Sequence, residues 1–391
     1  MSATIIDGNA LATETRQRVK AEVGELSRQG KGVHLAALLI GASPAGELYA
    51  QRQGEACRAV GISYELITLP TDAPAERVLG TIEKLNQDPG VTGIMLHLPV
   101  PPHLDATELQ YQIDRRKDVE GVNPANIGHV VYRHTLIAPC TALACIELIR
   151  STGVKISGAE AVVVGASAIA GKPAALLLTE EMATTTLCHI ATRDLPLHTR
   201  RADILVVAVG KPDLIRKEHV KPGAVVIDVG INRITLPDGS KKTVGDVDYE
   251  GVRQVAGHIT PVPGGVGPMT VAMLLKNTLR SARLVHGIDT EDDAIPPTTQ
   301  NCPDIPLRHV RGTELLAFLK SELRRDEPTA TPDIYRRVLE RFGAEACRPN
   351  LNCPHYHKIH PEFWHVVRLT LWTGQRSGDF ARVSDGSWRR S

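Results

Sequence analysis

Over the first 285 positions of this chain, short aliphatic, β-branched runs alternate with amphipathic stretches. Residues 33–40, 62–69 and 93–98 have the composition of buried strands, and residues 49–60 and 75–86 between them have helical spacing. A second set of runs follows at 161–164, 204–209 and 224–229. Parallel strands cannot be joined by tight turns, so strand–helix alternation of this kind predicts an α/β fold with mostly parallel sheets. Helical stretches at 141–151 and 269–284 bracket the second set and are expected to join two α/β lobes across a cleft.

The aromatic residues mark a break. All four Phe and all three Trp lie after residue 317, so the earlier cores are built from Val, Ile, Leu and Ala. A polar, Pro-rich stretch at 288–306 reads as a linker. The expected organisation is an N-terminal lobe over 1–140 completed by the helix 268–285, a second lobe over 141–267, the linker, and a mainly helical region over 307–391. Net charge is +1, which gives no global case for nucleic acid or an acidic membrane surface. The seven cysteines are odd in number and read as thiols of a reducing compartment rather than a disulfide framework. Residues 1–7 form a short apolar strand candidate, too short for a secretory leader, and no run is apolar enough to span a bilayer. These features together predict a cytoplasmic protein.

Two stretches show unusual backbone control. Three Pro and three Gly fall within positions 261–268, just before a run free of both. Glycine permits close approach and proline fixes φ, so this is a stiff loop delivering the chain into a helix, with Pro268 suited to the first turn. It reads as a ligand wall or as a tight inter-lobe turn. The other stretch, Gly165-Ala166-Ser167 to Gly171 and Pro173, follows a buried strand and opens a helix. A glycine turn at a helix N-terminus suits a pyrophosphate. The spacing is not that of the common dinucleotide fingerprint, and a ligand-free turn remains the other reading. The next strand ends at His189 and Ile190 with no acid for a ribose 2′-hydroxyl, and Arg193 is the nearest Arg. NAD and NADP both stay open on these residues.

From about residue 3 to residue 285 the chain resembles the methylenetetrahydrofolate dehydrogenase/methenyltetrahydrofolate cyclohydrolase family. The motifs that carry the resemblance run in order: 43–49 with Cys57, Leu98-Pro99-Val100-Pro101, Lys117-Asp118-Val119-Glu120-Gly121 with Asn123, Pro124 and 126–128, and Pro139-Cys140-Thr141. Then come 165–173, 207–212, 227–233, Gly245-Asp246-Val247 and the loop 260–270. The resemblance implies a catalytic lobe, a Rossmann lobe and folate held in the cleft between them. It implies that Tyr49, Leu98, Pro99, Glu120, Pro261, Pro263, Gly264, Gly265 and Pro268 face the folate. It assigns the nucleotide to Gly165, Ala166, Ser167, Gly171, Pro173, His189, Ile190, Val209, Gly210, Pro212, Gly230, Ile231 and Thr270. A homodimer is implied, and no metal is expected.

The catalytic positions depart from the family pattern. Tyr49 is kept, but Gln53 stands where the family has a Lys four residues on, His97 where it has Gln, and Glu120 where it usually has Asp. Dehydrogenation mainly requires two ligands to be positioned. Hydrolysis of the methenyl product requires proton transfer, which Gln53 cannot perform. The sequence therefore predicts a dehydrogenase with weak or absent cyclohydrolase activity. The competing readings are a full bifunctional enzyme in which His97 compensates, and a catalytically poor folate-binding or regulatory protein. For the cofactor, the resemblance favours NADP slightly, while Ile190, unable to bind a 2′-phosphate, favours NAD.

Residues 286–391 lie outside the resemblance. Helical spacing appears at 314–325 after Thr313, at 332–342 after Thr331, and at 360–372. Cys347, Cys353, His355 and His357 cluster there with spacing foreign to standard zinc sites, so buried thiols with solvated histidines are the simpler reading and zinc the alternative. The region reads as a packing or protein-interaction module.

Overall fold

In the computed structural model, residues 2–41, 44–132, 135–236, 238–289, 319–321, 323, 380–382 and 388–390 are described. The chain divides into two compact units, residues 1–296 and 297–391.

The first unit opens with strand β1 (Thr4–Ile5) and helix α1 (Gly8–Arg28). Asp7 caps α1, its carboxylate accepting from the Asn9 and Ala10 backbone N–H groups, the role short acceptors play at a helix start. A β-α-β-α-β unit follows: β2 (His34–Ile40), α2 (Pro44–Ala59), β3 (Ser63–Leu69), α3 (Ala75–Gln87) and β4 (Gly93–Leu96). Its parallel sheet has the order β3–β2–β4. Central β2 is buried from Leu35 to Ile40, as a strand covered on both faces must be. At the edge, β3 leaves Ser63, Glu65, Leu66 and Thr68 exposed and Tyr64 half-buried.

Helices α4 (Ala106–Tyr111), α5 (Pro124–Val131) and α6 (Cys140–Ser151) lead to the second lobe. There, β5 (Glu160–Val164), α7 (Gly171–Glu180), β6 (Thr184–Cys188), α8 (Leu195–Thr199), β7 (Ile204–Val207) and β8 (Val225–Asp228) are followed by the antiparallel pair β9 (Asn232–Thr235) and β10 (Lys241–Val244), then α9 (Tyr249–Arg253) and β11 (His258–Ile259). The six-stranded parallel sheet has the order β1–β11–β8–β7–β5–β6. The aliphatic strands β5, β7 and β8 sit at or next to its centre, and the more polar β6 takes an edge. The chain's first strand thus joins the second lobe's sheet, Thr4 opposite His258 and Ile5 opposite Ile259, although it precedes the first lobe in sequence. Two residues pair too briefly to leave a periodic signal.

The last helix, α10 (Val266–Val285), packs on α1 and α6. One apolar core runs through it from Leu35 and Met95 of the first sheet to Val163 and Ile227 of the second. The helix starts at Val266, three residues before the break-free run begins, with Pro268 in its first turn, where a missing N–H costs nothing. Its exit is tied down by Asp289, which accepts from Arg280 and from Arg283 (Nε 2.8 Å, Nη2 2.9 Å). Among the described residues no helix is long and apolar enough to cross a membrane.

In the second unit, residues 319–321 are helical. Phe380–Arg382 pairs antiparallel with Trp388–Arg390, a sheet element that the helical reading of this region did not include; strands of three residues are too short to show alternation. The expected helices at 332–342 and 360–372, and the cluster Cys347, Cys353, His355 and His357, lie outside the described residues.

Candidate active site

Helix α2 presents Tyr49, Gln53 and Cys57 at four-residue intervals, hence on one face, and β4 with the residue after it presents Met95 and His97 on one face of the sheet. The two faces meet. The Tyr49 and His97 rings lie 5.8 Å apart, edge to face at 88°. One helical turn deeper, Gln53 Nε2 donates to Met95 Sδ at 2.9 Å, and Gln53 Oε1 is buried without a hydrogen-bond partner. Gln53 and His97 are 5% and 3% exposed while Tyr49 is 52% exposed, so Tyr49 forms the mouth of the site and the other two its floor. Desolvation holds the His97 imidazole below its ordinary pKa.

Three of the quoted motif residues position Glu120. Lys117 Nζ donates to the Leu85, Asn86 and Asp88 carbonyls at 2.7–2.9 Å, closing the end of α3. Asp118 accepts from Gly121 N, Asn123 N and Asn126 Nδ2 at 3.1, 2.7 and 2.9 Å. Gly121 has φ 73°, and a methyl there would stand 2.2 Å from the Ala138 carbonyl carbon. Between these anchors Glu120 is half-buried. Burial first, then the neighbouring Asp118 charge, push its carboxyl up to about 8, against a backbone hydrogen bond from Leu96. Burial and then the Glu120 charge raise the Tyr49 hydroxyl too. Leu98 follows His97 with its side chain 47% exposed and joins Pro99 through a cis bond.

The loop 260–270 is anchored to the second sheet. Thr260 is fully buried, and its Oγ1 accepts from Asp228 N at 2.8 Å. Val262–Pro263 is cis, Gly264 has φ 110°, and a methyl on Gly8 would meet Gly265 O at 1.9 Å. The start of α1 therefore lies directly on this loop. Thr270 Oγ1 donates back to Val266 O.

The carboxyl ends of β5 to β8 carry the other motif residues. Gly165 has φ 112°, and a methyl there would be 2.0 Å from Ala208 O; one on Gly171 would be 1.7 Å from Gly165 O. Gly171 begins α7, with Pro173 in its first turn and Ser167 Oγ near its N–H at 3.4 Å. Asp246 gathers the next loop, accepting from Val209, Gly210 and Lys211 N at 2.7–2.9 Å and from Asn232 Nδ2 at 2.8 Å. Asp228 accepts from Gly230, Asp246 and Val247 N, each at 3.0 Å. These carboxylates shape the loops holding Val209, Gly210, Pro212, Gly230 and Ile231. At the tip of β6, His189 N donates to Thr192 Oγ1, and Ile190 is fully exposed. Exposed Ile190, Val209 and Ile231 stand in the loops beyond the strand ends, where ligands bind open parallel sheets. Two glycines that admit no side chain, beside the N-terminus of a ten-residue helix, suit a dinucleotide pyrophosphate.

Sequence motifs brought these residues together but missed what holds them. Asn277 of α10 donates to the Val119 and Ala138 carbonyls, 2.9 Å each, pinning the Glu120 segment. Tyr64 OH lies 3.4 Å from His97 Nε2. Neither belongs to a recognisable motif; Tyr64 carried only the alternation signal of an edge strand. Among the described residues no group of three or more His, Cys, Asp or Glu side chains is arranged to hold a metal ion.

Fold and site together define a two-lobed α/β protein with a nucleotide-binding lobe and a second ligand site beside it. Residues 6–120 match the model of the tetrahydrofolate dehydrogenase/cyclohydrolase catalytic domain, and residues 139–286 that of its NAD(P)-binding domain. The chain belongs to the tetrahydrofolate dehydrogenase/cyclohydrolase family. It is 48% identical over 283 residues to the bifunctional protein FolD of Moorella thermoacetica, covering 72% of this chain and 100% of that one. Among solved structures it is similar to the bifunctional FolD enzyme of Campylobacter jejuni (39% identity, TM-score 0.69, 72% of this chain and 99% of that one). It is similar also to the Trypanosoma brucei methylenetetrahydrofolate dehydrogenase-cyclohydrolase complexed with NADP and an inhibitor (37% identity, TM-score 0.69, 74% and 100%).

Proposed function

We propose that this chain oxidises 5,10-methylenetetrahydrofolate to the 5,10-methenyl form with NAD(P), and that onward hydrolysis to 10-formyltetrahydrofolate is weak or absent. When bound, the nicotinamide nucleotide supplies the hydride acceptor. The chain's own part is to position. Tyr49 packs along the folate ring system, Glu120 accepts from the N–H donors of the pterin edge, and the loop 260–270 closes the cleft beside the nucleotide loops. Leu98, Pro99 and the prolines of that loop exclude water from the folate.

The observation that carries the second half is Gln53. A family member that hydrolyses the methenyl carbon is expected to hold a Lys there, able to carry charge and pass a proton. Here an amide lies against the Met95 sulfur, and an amide does neither. The reading in which His97 compensates rests on its contact with Tyr49. Against it, desolvation weakens the ring as a proton acceptor, and Tyr64 lies at its Nε2.

The resemblance favours NADP, and Arg193 supplies a cation beside the β6 tip; Ile190, fully exposed there, favours NAD. NADP is the nucleotide we carry forward, in a cytoplasmic homodimer. Purified protein given methylenetetrahydrofolate and either nucleotide is expected to accumulate methenyl absorbance, with the higher kcat/KM for NADP. Absence of nucleotide reduction with folate binding retained would favour a binding protein instead.

A further inference from the structure

His97 needs something to hold it. It lies just past the end of β4, it is 3% exposed, and the Tyr49 ring meets it at 88°. Gln53 does not reach it: its amide nitrogen is on Met95 and its carbonyl oxygen has no partner. The group at His97 Nε2 is the Tyr64 hydroxyl, 3.4 Å away, from the neighbouring edge strand.

Tyr64 itself is seated by a gap in α2. A methyl added at Gly54 would lie 2.8 Å from Tyr64 Cδ1 and 3.0 Å from Cε1, so the absence of a side chain at Gly54 lets the ring approach the helix closely. The ring is half-buried, and burial pushes its hydroxyl up to about 12, so it remains a donor throughout the working range. A phenol is the better donor of this pair and an imidazole nitrogen the better acceptor.

We propose that Tyr64 is a positioning residue of the folate site: its hydroxyl donates to His97 Nε2, fixes the imidazole in the Nδ1–H tautomer, and so sets the edge against which Tyr49 packs. The folate meets Tyr49, Tyr49 meets His97, and His97 is held by Tyr64. The Nε2 lone pair is then engaged by Tyr64 and is not free to accept a proton from water. This inference rests on the folate-site reading above and deepens it, because it explains how a histidine at this position serves as wall rather than base.

Tyr64→Phe keeps the ring on Gly54 and removes only the hydroxyl. Histidine-selective 15N labelling of the full chain, with His97 assigned by its loss in a His97→Gln variant, reads the tautomer directly. The unmodified chain is expected to show His97 protonated on Nδ1 and unprotonated on Nε2, and Tyr64→Phe to shift both signals towards the other tautomer. In the same variant the KM for methylenetetrahydrofolate should rise about two- to tenfold with kcat nearly constant, the effect of one neutral hydrogen bond. His97 protonated on Nε2 in the unmodified chain, or signals unchanged by Tyr64→Phe, would overturn the proposal. A changed tautomer with an unchanged KM would overturn its claim on the folate site. The spectra do not depend on turnover. A chain inactive with folate but carrying the expected His97 signals would sink the dehydrogenase reading and leave the Tyr64 contact standing.

Discussion

Glu120 keeps its proton up to about pH 8 because burial and the Asp118 charge both disfavour its ionised form. The pterin edge offers N–H donors, which an ionised carboxylate accepts and a protonated one serves poorly. Folate binding is therefore expected to strengthen as pH rises through about 8, with KM falling about tenfold per unit on the acid side of that value. Glu120→Gln should flatten the profile at the weak-binding end; steady-state KM measured across that range checks both statements. The sign for the free protein is opposite. The folded state holds this proton more tightly than the unfolded chain, so ligand-free stability declines as pH rises from the ordinary carboxylate value towards about 8. At this scale the sequence was half legible. Tyr49, His97 and Glu120 stood in motifs with fixed spacing. Tyr64 did not, because its partner is 33 positions away and an edge-strand tyrosine has no local signature.

Helix α2 and the turn before α7 show what single glycines do for whole elements. Gly54→Ala gains about 1 kcal/mol of helix propensity, yet its methyl would meet the Tyr64 ring at 2.8 Å. The two effects oppose, so the expected outcome is an unfolding temperature at or below that of the unmodified chain, with a raised folate KM; an unchanged or lower KM would contradict the seating of Tyr64. Gly165→Ala is a harsher change, combining φ 112° with a contact of 2.0 Å to Ala208 O. It should cost about 3 kcal/mol and abolish nucleotide binding, measured by thermal unfolding and by nucleotide titration. Strands β2 to β8 and helices α2, α3, α6 and α10 were legible from composition and periodicity, because buried parallel strands are aliphatic runs; helix α1 and the short strands β9 to β11 were not read. Nor was the placement of β1 beside β11. Two residues pair at a sheet edge through backbone groups alone, and backbone pairing leaves no mark on side-chain pattern.

For the molecule as a whole, the core shared by both lobes, running from the first sheet through α10 to the second, predicts that the first unit stands without the rest. Asp289, held by Arg280 and Arg283, closes α10 just before the polar stretch. A chain ended at residue 296 is therefore expected to fold and keep the dehydrogenase kcat/KM within about twofold; loss of the fold would show that the aromatic-rich region completes the core. Near that division the composition changes, all four Phe and all three Trp lying after residue 317. What the second unit does was not visible in the same way, because its residues match no pattern with a mechanism attached.

The central claim is that Gln53 separates oxidation from hydrolysis at one site. The most direct measurement follows methenyltetrahydrofolate after it forms, in the unmodified chain and in a Gln53→Lys variant. Methenyl decay in the unmodified chain is expected to match the uncatalysed rate, and Gln53→Lys to speed it at least about a hundredfold, the low end of what a positioned proton-transfer group adds. Rapid decay to 10-formyltetrahydrofolate in the unmodified chain would contradict it.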